Sequence, residues 1–375
     1  MGFYQRLGVK TYITCGSNGT ANGGSIMYPQ VLEAMADASR SFIRMSDLHD
    51  KAGRHLAQVI GVEGAYVTSG AAAGVAIAVA ACLTGKDWSK VHRLPDHPGE
   101  RPEVLIQVMQ RNYYELMIRL TGSRLVEVGL ANATNAWHLE AGIGERTAAI
   151  VHFEAYAPPT DLPLEQVIAI GHKHGIPVIV DAAAEFPPFS VLRRYTDMGA
   201  DLAIFSGGKA LRGPQSSGLI LGKRELIEAC AMNGSPFHGI GRPMKVGKEE
   251  IAGLVTAVEL WSDPDFERRE LEGWEQRTVA FVDALRDLRG VRVSRAPSPP
   301  PSSGRQLSPS WFELAHVEWD PAVIHKTPQQ VVDALRAGDP AIIIPSLPNG
   351  LMFSPQCLEP GEEAVVARRL REELQ

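Results

Sequence analysis

One amine stands alone on a small-residue stretch, FSGGKALRGPQSSG, residues 205 to 218 of a 375-residue chain. That amine is Lys209, and the stretch joins two apolar runs, DLAIF and LILG. A third run, IPVIVD, ends on Asp181, 28 residues upstream. In an open α/β sheet, ligands bind outside the carboxyl ends of the strands. A carboxylate and an amine that leave successive strands there can face one ligand. Pyridoxal phosphate suits such a pair. Its aldehyde needs a lysine amine, with which it forms a Schiff base. Its ring nitrogen needs an acid beside it, because an opposite charge within about 4–6 Å favours the protonated form. Each unit of that shift is about 1.4 kcal/mol between the two protonation states. Lys209 is therefore the expected catalytic residue and Asp181 the expected partner of the ring nitrogen. Taken alone, Asp181 fits a cap on the turn AAAEFPP equally well.

The phosphate needs an anion hole, and TSGAAAG, residues 68 to 74, offers one. Ser-Gly ends a predicted strand and Ala71 starts a predicted helix. The Ser69 hydroxyl and the N–H groups of Gly70 and Ala71 can point at a dianion, helped by the helix dipole. Glycine lets the backbone approach closely. Ser206, three residues before Lys209, can add a hydrogen bond. His152 lies at or near a strand end beside Phe153, where it can line the site and touch substrate.

Other chemistries fit less well. A nucleoside-triphosphate loop needs glycine at 203 and Ser or Thr at 210, and both positions are alanine. The N-terminal CGSNGTANGG lacks G-x-G-x-x-G, and no βαβ unit frames it, so it reads as an arm or a substrate-side loop. His172 and His174 are two apart on a predicted helix and do not share a face, so they read as solvent-facing rather than as metal ligands. The four cysteines are scattered, with no CxxC pair, and suggest neither zinc nor a disulfide framework.

Elements must position these groups. Apolar, β-branched runs at GAYVTSG, VLIQVM, RLVEVG, TAAIVHFEA, IPVIVDAA, DLAIFSGG and GLILG read as strands. Between them lie helical patterns, among them the small-residue AAAGVAIAVAACLTG, YYELMIRLTG closed by Gly122, and LPLEQVIAIGHKHG ending at Gly175. Residues 29–60 carry helical spacing throughout. Alternating strands and helices predict an α/β fold, with a mostly parallel sheet covered on both faces in a three-layer large domain. Residues 250–290 read as helix leading out of it, followed by a small α+β C-terminal domain. The expected division is 1–250 and 251–375. SRAPSPPPSSGR, residues 294–305, reads as a surface loop inside the smaller domain, and PGEEAVVARRLREEL as a final helix.

The chain is 45% hydrophobic and 21% charged, ordinary for a globular protein, and its net charge of −6 gives no general attraction to nucleic acid or an anionic membrane. No run approaches the about 18 apolar residues of a transmembrane helix, and the N-terminus lacks the apolar centre of a secretion signal. The expected compartment is the cytoplasm.

TSGAAAG, VIVDAAAEFPP, FSGGKALRGPQSSG and GRPMKVGKEE together resemble pyridoxal-phosphate enzymes of the aspartate-aminotransferase fold, fold type I. More narrowly, with GSNGTANGGSIMYPQVLEAMADAS, they resemble the branch holding selenocysteine synthase and D-glucosaminate-6-phosphate ammonia-lyase. The resemblance runs from about residue 3 to the C-terminus. It implies Lys209 as the Schiff-base lysine, Asp181 as the pyridinium partner, and Gly70, Ala71 and Ser206 as phosphate contacts. It implies a homodimer or larger homo-oligomer with the site between subunits, reached by Arg242 and Lys245 of GRPMKVG. It also places QRNYYE, residues 110–115, against the cofactor ring, with Asn112 and Tyr113 as alternatives.

Two departures bear on substrate. Selenocysteine synthase carries an N-terminal domain that grips transfer RNA, whereas this chain starts almost directly at the catalytic fold. A small-molecule substrate is therefore expected, and no nucleic acid. After AIIIPS, where many relatives hold a substrate carboxylate with arginine, the sequence runs PSLPNGLMFSPQCL without one, so either another cation such as Arg242 takes that role or the substrate is held differently. The expected function is a lyase of the β-elimination or ammonia-lyase type, acting on a small amino acid or amino sugar acid. A racemase or epimerase, an aldolase, a tRNA-dependent seryl transferase and a non-catalytic paralogue are the alternatives.

Overall fold

A computed structural model describes residues 2–16, 18–296 and 313–375. Its larger compact unit holds residues 24–263. At its centre is a seven-stranded sheet: β1 (Gly64–Thr68), β2 (Glu103–Gln107), β3 (Arg124–Val128), β4 (Thr147–Phe153), β5 (Val178–Asp181), β6 (Leu202–Ser206) and β7 (Gly218–Gly222). Their spatial order is β1-β7-β6-β5-β4-β2-β3. Only β7 runs antiparallel to its neighbours, so the other six strands all end at one edge. Six of the seven strands are buried along most or all of their length, as expected where helices cover both faces and sequences read as unbroken apolar runs.

The alanine-rich helix Ala71–Thr84 shows why its residues are small. It is apolar all round, and most of it is buried. Val75, Ile77 and Val79 share a core with Ile106, Val151, Ile179, Ile204 and Ile220 from the sheet. Residues 29–60 form two helices rather than one, Pro29–Ala38 and Met45–Ile60. Extended backbone at Arg44 separates them, a conformation that the apolar spacing does not encode. The helix Lys248–Ser262 packs within this unit, against Pro29–Ala38 and Met45–Ile60.

The smaller unit takes the described residues before 24 and those after 263. The helix Pro264–Leu285 packs on strands Val291–Ala296 and Leu314–Trp319, and the last helix runs Glu362–Leu374. Phe281 and Phe353 stack in the core with centroids 3.8 Å apart. The run AIIIPS gives only a two-residue strand, Ile342–Ile343, paired parallel with Ile13–Thr14. Of the expected loop 294–305, Ser294 to Ala296 finish a strand instead, and the rest lies outside the described residues. Among the described residues, no helix is long and apolar enough to cross a membrane.

Candidate active site

The edge where six strands end collects the chemistry. Asp181 is the last residue of β5, and Ser206 is the last of β6 beside it. Lys209 follows on the next turn. β7 begins at this edge, with Gly218 paired both to Thr68 of β1 and to Ser206. Ser69 and Gly70 leave β1 there and lead into the helix at Ala71. The topology therefore gathers Ser69, Gly70, Ala71, Asp181, Ser206 and Lys209 at one edge.

Asp181 is 8% exposed and accepts a hydrogen bond from the Ala183 N–H at 3.0 Å. Burial pushes its carboxyl above the usual aspartate range, against the Ala183 hydrogen bond and the positive charge of Lys209. A buried carboxylate in this state favours a further cation close by. A protonated ring nitrogen would be one.

Lys209 is clamped from the N-terminal side. The Ser25 N–H donates to Gly208 O at 3.0 Å, and its hydroxyl donates to Lys209 O at 2.8 Å. Arg212 closes the turn, its N–H donating to Lys209 O at 2.9 Å, with φ at +54°. A left-handed arginine is strained, and side-chain contacts hold it. Its Nε donates to Ile26 O at 2.6 Å, and its guanidinium lies 4.3 Å from the Tyr28 ring centroid. The glycine-rich stretch near the N-terminus, read as an arm or a substrate-side loop, thus leads directly into the Lys209 clamp.

Gly70 has φ of +137°, and a side-chain carbon added to it would stand in open space. It precedes a 14-residue helix whose first N–H groups lack intrahelical partners. Gly218 lies tight against the same turn: a carbon there would come 2.7 Å from Gly70 C and 2.9 Å from Ala71 N. An open glycine turn at a helix N-terminus fits a phosphate. Ser69 donates its hydroxyl proton to Met244 O at 3.0 Å, which ties this turn to the GRPMKVG segment. Arg242 and Lys245 on that segment are exposed.

His152 does not line an open surface. It is 3% exposed and sits in a hydrogen-bonded chain. Gln110, just after β2, accepts the Phe153 N–H on Oε1 at 2.9 Å. That fixes its amide so that Nε2 faces His152 Nδ1 at 3.1 Å, and His152 Nε2 faces Glu154 Oε2 at 3.2 Å. Asn112 is turned to local work, accepting from Tyr114 N at 2.7 Å and donating to Gln110 O at 2.8 Å, while Tyr113 is 99% exposed. His172 and His174 are exposed, as expected, and bond the carboxylates of Asp201 and Glu140.

Sequence reasoning passed over Glu154 and Glu185. Burial, reinforced by the negative charge of Glu154, pushes the Glu185 carboxyl up to about 7, against the pull of Lys209 and Arg194. Both glutamates were visible as acids one to four residues beyond a strand end, in VHFE and VDAAAE. Gly218 and Ser25 left no signal that distinguishes them from ordinary loop residues.

Comparison with known proteins gives this geometry a family. The family model described as SelA, L-seryl-tRNA selenium transferase, matches residues 35–278. The chain is 38% identical to a 5'-C-glycyluridine monooxygenase-decarboxylase of a Streptomyces species, over 98% of this chain and 91% of that protein. It is 33% identical to D-glucosaminate-6-phosphate ammonia lyase of Salmonella typhimurium (strain 14028s / SGSC 2262), over 98% and 97%. A solved D-glucosaminate-6-phosphate ammonia-lyase superposes with a TM-score of 0.86 at 31% identity, over 100% of this chain and 98% of that one. An SPT solved with PLP, 16% identical with a TM-score of 0.59 over 96% and 87%, shares the fold alone.

Proposed function

The chain belongs to the family described as SelA, L-seryl-tRNA selenium transferase, and from that premise we propose that it is a pyridoxal-phosphate-dependent lyase acting on a small amino acid or amino sugar acid. The observation that carries this reading is a buried Asp181 at one strand end and Lys209 on the loop just beyond the neighbouring strand end, beside an open glycine turn at a helix N-terminus. When bound, the cofactor supplies an electron sink for charge developing at the substrate α-carbon. Lys209 Nζ would hold it and take the α-proton. Asp181 would face the ring nitrogen and keep its proton in place. Gly70, Ala71 and Ser206 would receive the phosphate, while Ser69, its hydroxyl proton spent on Met244 O, would hold the turn. Arg242 is the candidate for the substrate carboxylate, and His152 orients the polar chain beneath the site.

The lyase reading draws on the likeness to the ammonia lyases, which extends over nearly the whole chain. Holoenzyme supplied with D-glucosaminate 6-phosphate and other β-hydroxy amino acids should release ammonia and a keto acid. Exchange of the α-hydrogen for deuterium without keto acid points to a racemase or epimerase instead, and release of an aldehyde points to an aldolase.

A second reading has its own support in the 38% identity to the monooxygenase-decarboxylase. It requires oxygen consumption and carbon dioxide release, which an oxygen electrode and a labelled carboxyl detect directly. A tRNA-dependent role predicts salt-sensitive tRNA binding, which a filter assay at low salt tests. A homo-oligomer is part of the proposal. Phe42, Ile43 and Tyr113 are large apolar or aromatic side chains left exposed, and sedimentation should find more than a monomer.

A further inference from the structure

Among the described residues, Arg212 is the only one other than glycine with a left-handed backbone, at φ +54°. Glycine takes that conformation freely, whereas a side chain makes it strained. Glycine is used on both flanks of this loop, at 207 and 208 and again at 213. At 207 and 208 the reason is space: a side-chain carbon would run into Ser217 Oγ at the first and come 2.5 Å from Gln215 Cα at the second. At 212, where glycine would relieve the backbone, the chain keeps one of its longest side chains. Such a residue persists only where its surroundings over-determine it.

Its contacts run to one short segment, Ser25 to Tyr28. Arg212 Nε donates to Ile26 O at 2.6 Å, and the guanidinium lies 4.3 Å from the Tyr28 ring centroid, close enough for a cation–π contact. A planar guanidinium can make both contacts at once, which an ammonium does poorly. The same segment grips the lysine turn from its other end. The Ser25 N–H donates to Gly208 O at 3.0 Å, and the Ser25 hydroxyl donates to Lys209 O at 2.8 Å. The Arg212 N–H donates to Lys209 O as well, at 2.9 Å. A carbonyl oxygen has two lone pairs, and Lys209 O accepts two bonds. Its peptide plane is pinned by two donors, and the direction in which the Lys209 side chain leaves the backbone is set with it. Gly24 lets the segment come this close, since a side-chain carbon there would stand 2.8 Å from Gly208 O.

Resting on the reading of Lys209 as the residue that holds the cofactor, we infer that Arg212 is a positioning residue for that lysine, with Ser25 as the other half of the clamp. Arg212 does not touch the reacting atoms. Its strained backbone aims the guanidinium back at Ile26 O, the bonded segment places Ser25, and Ser25 fixes the Lys209 carbonyl. The lysine side chain is a flexible four-carbon stem, so the fold can set its root more firmly than its tip. A relaxed glycine at 212 would keep the turn and its N–H bond to Lys209 O, but it would leave the segment held by Ser25 alone.

The test compares wild type with R212G, R212A and S25A. R212G should be more stable to denaturant than R212A, because glycine alone relieves the left-handed backbone. In the apoprotein, hydrogen exchange at the amides of Ser25 and residue 212 should speed up by about 10-fold or more in R212G, as a segment that opens locally does. Pyridoxal phosphate added to apoprotein, trapped with borohydride and located by mass spectrometry, should attach to Lys209 about 10-fold more slowly in R212G and R212A than in wild type. Neither readout needs a substrate. On D-glucosaminate 6-phosphate, kcat of R212G should fall by about 10- to 100-fold with KM within about threefold, since a misplacement of about 1 Å can cost about 100-fold. S25A keeps its N–H bond to Gly208 O and should show the same pattern with a smaller loss. An R212G protein with wild-type exchange and wild-type attachment overturns the role of Arg212, as does a raised KM at unchanged kcat. Should R212G fail to fold, S25A decides, and wild-type attachment in S25A removes the clamp. Cofactor trapped in wild type on a lysine other than Lys209 overturns the underlying reading instead, and the positioning role falls with it.

Discussion

The two ends of the central sheet both bury carboxylates, and they treat them in opposite ways. At the amino ends of the strands, Asp201 has a side chain only 5% exposed and is matched on every side. It accepts from Lys223 at 2.6 Å and from the Val178 N–H at 2.7 Å, and bonds His172 at 3.1 Å. Burial pushes Glu103 up, but Arg124 and Arg146 outweigh it and hold its carboxyl below the usual range. At the carboxyl ends, Asp181 and Glu185 are both pushed up, and Glu154 adds a like charge to the same space. One end is electrostatically closed. The other holds acids that burial and like charge push upward. Perturbed and crowded acids in this arrangement mark a functional edge, and closed ion pairs mark a structural one.

The largest effect that can break this contrast is at the one amine among the crowded acids. Lys209→Ala should abolish the visible absorbance of the bound cofactor. It should lower turnover by more than about 10⁴-fold, the upper end of what a single acid–base group contributes. An unchanged spectrum would place the covalent attachment elsewhere. Asp181→Asn should do less, because it removes the charge and keeps the shape. A ring nitrogen that loses about 1–3 pKa units of support should slow turnover by about 10- to 1000-fold. Steady-state kinetics and a spectral titration of the variant would show it. A variant as active as wild type would put the ring nitrogen elsewhere.

How far this edge could be read in advance follows from what a sequence encodes. Lys209, Asp181 and the Ser69–Ala71 turn were legible because each follows a β-branched run, and strand ends in an α/β sheet share one edge. His152 was legible as a site neighbour but not as a buried link, because its partner Gln110 comes 42 residues earlier, from the turn after another strand. Glu185 hid inside a motif already explained by Asp181. The break between Pro29–Ala38 and Met45–Ile60 was invisible because apolar spacing carries through it. The Ser25 clamp joins positions 184 residues apart, and only the folded chain brings them together.

A smaller effect separates the two ends by sign. The Glu185 carboxyl sits at about 7 in the folded protein, against an ordinary 4.5. Its folded pKa is raised, so the folded state binds more protons between these values. Its contribution to stability is fully present below about pH 4.5 and is lost as pH rises through about 7. Over that window the loss is at most about 3.5 kcal/mol, at about 1.4 kcal/mol per unit. Apoprotein carrying Glu185→Gln should match wild type at low pH and exceed it in denaturant midpoint at pH 8. A lower midpoint at pH 8 would mean that the fold stabilises the charged form of Glu185, and the contrast with Asp201 would disappear.

Asp201→Asn provides the converse measurement. Asparagine keeps an oxygen for the Val178 N–H but leaves Lys223 and His172 without their anion. Both partners are more than a third exposed, so water takes up part of the loss. The expected cost is about 1–3 kcal/mol, within the range for a disrupted buried hydrogen bond. It should appear as a lower denaturant midpoint with an unchanged slope. Ammonia release per folded enzyme should not change, since Asp201 lies at the end of the sheet away from Lys209. A fall in turnover at full folding would show that the two ends are coupled through β5 and β6, and the division of labour across the sheet would have to be abandoned.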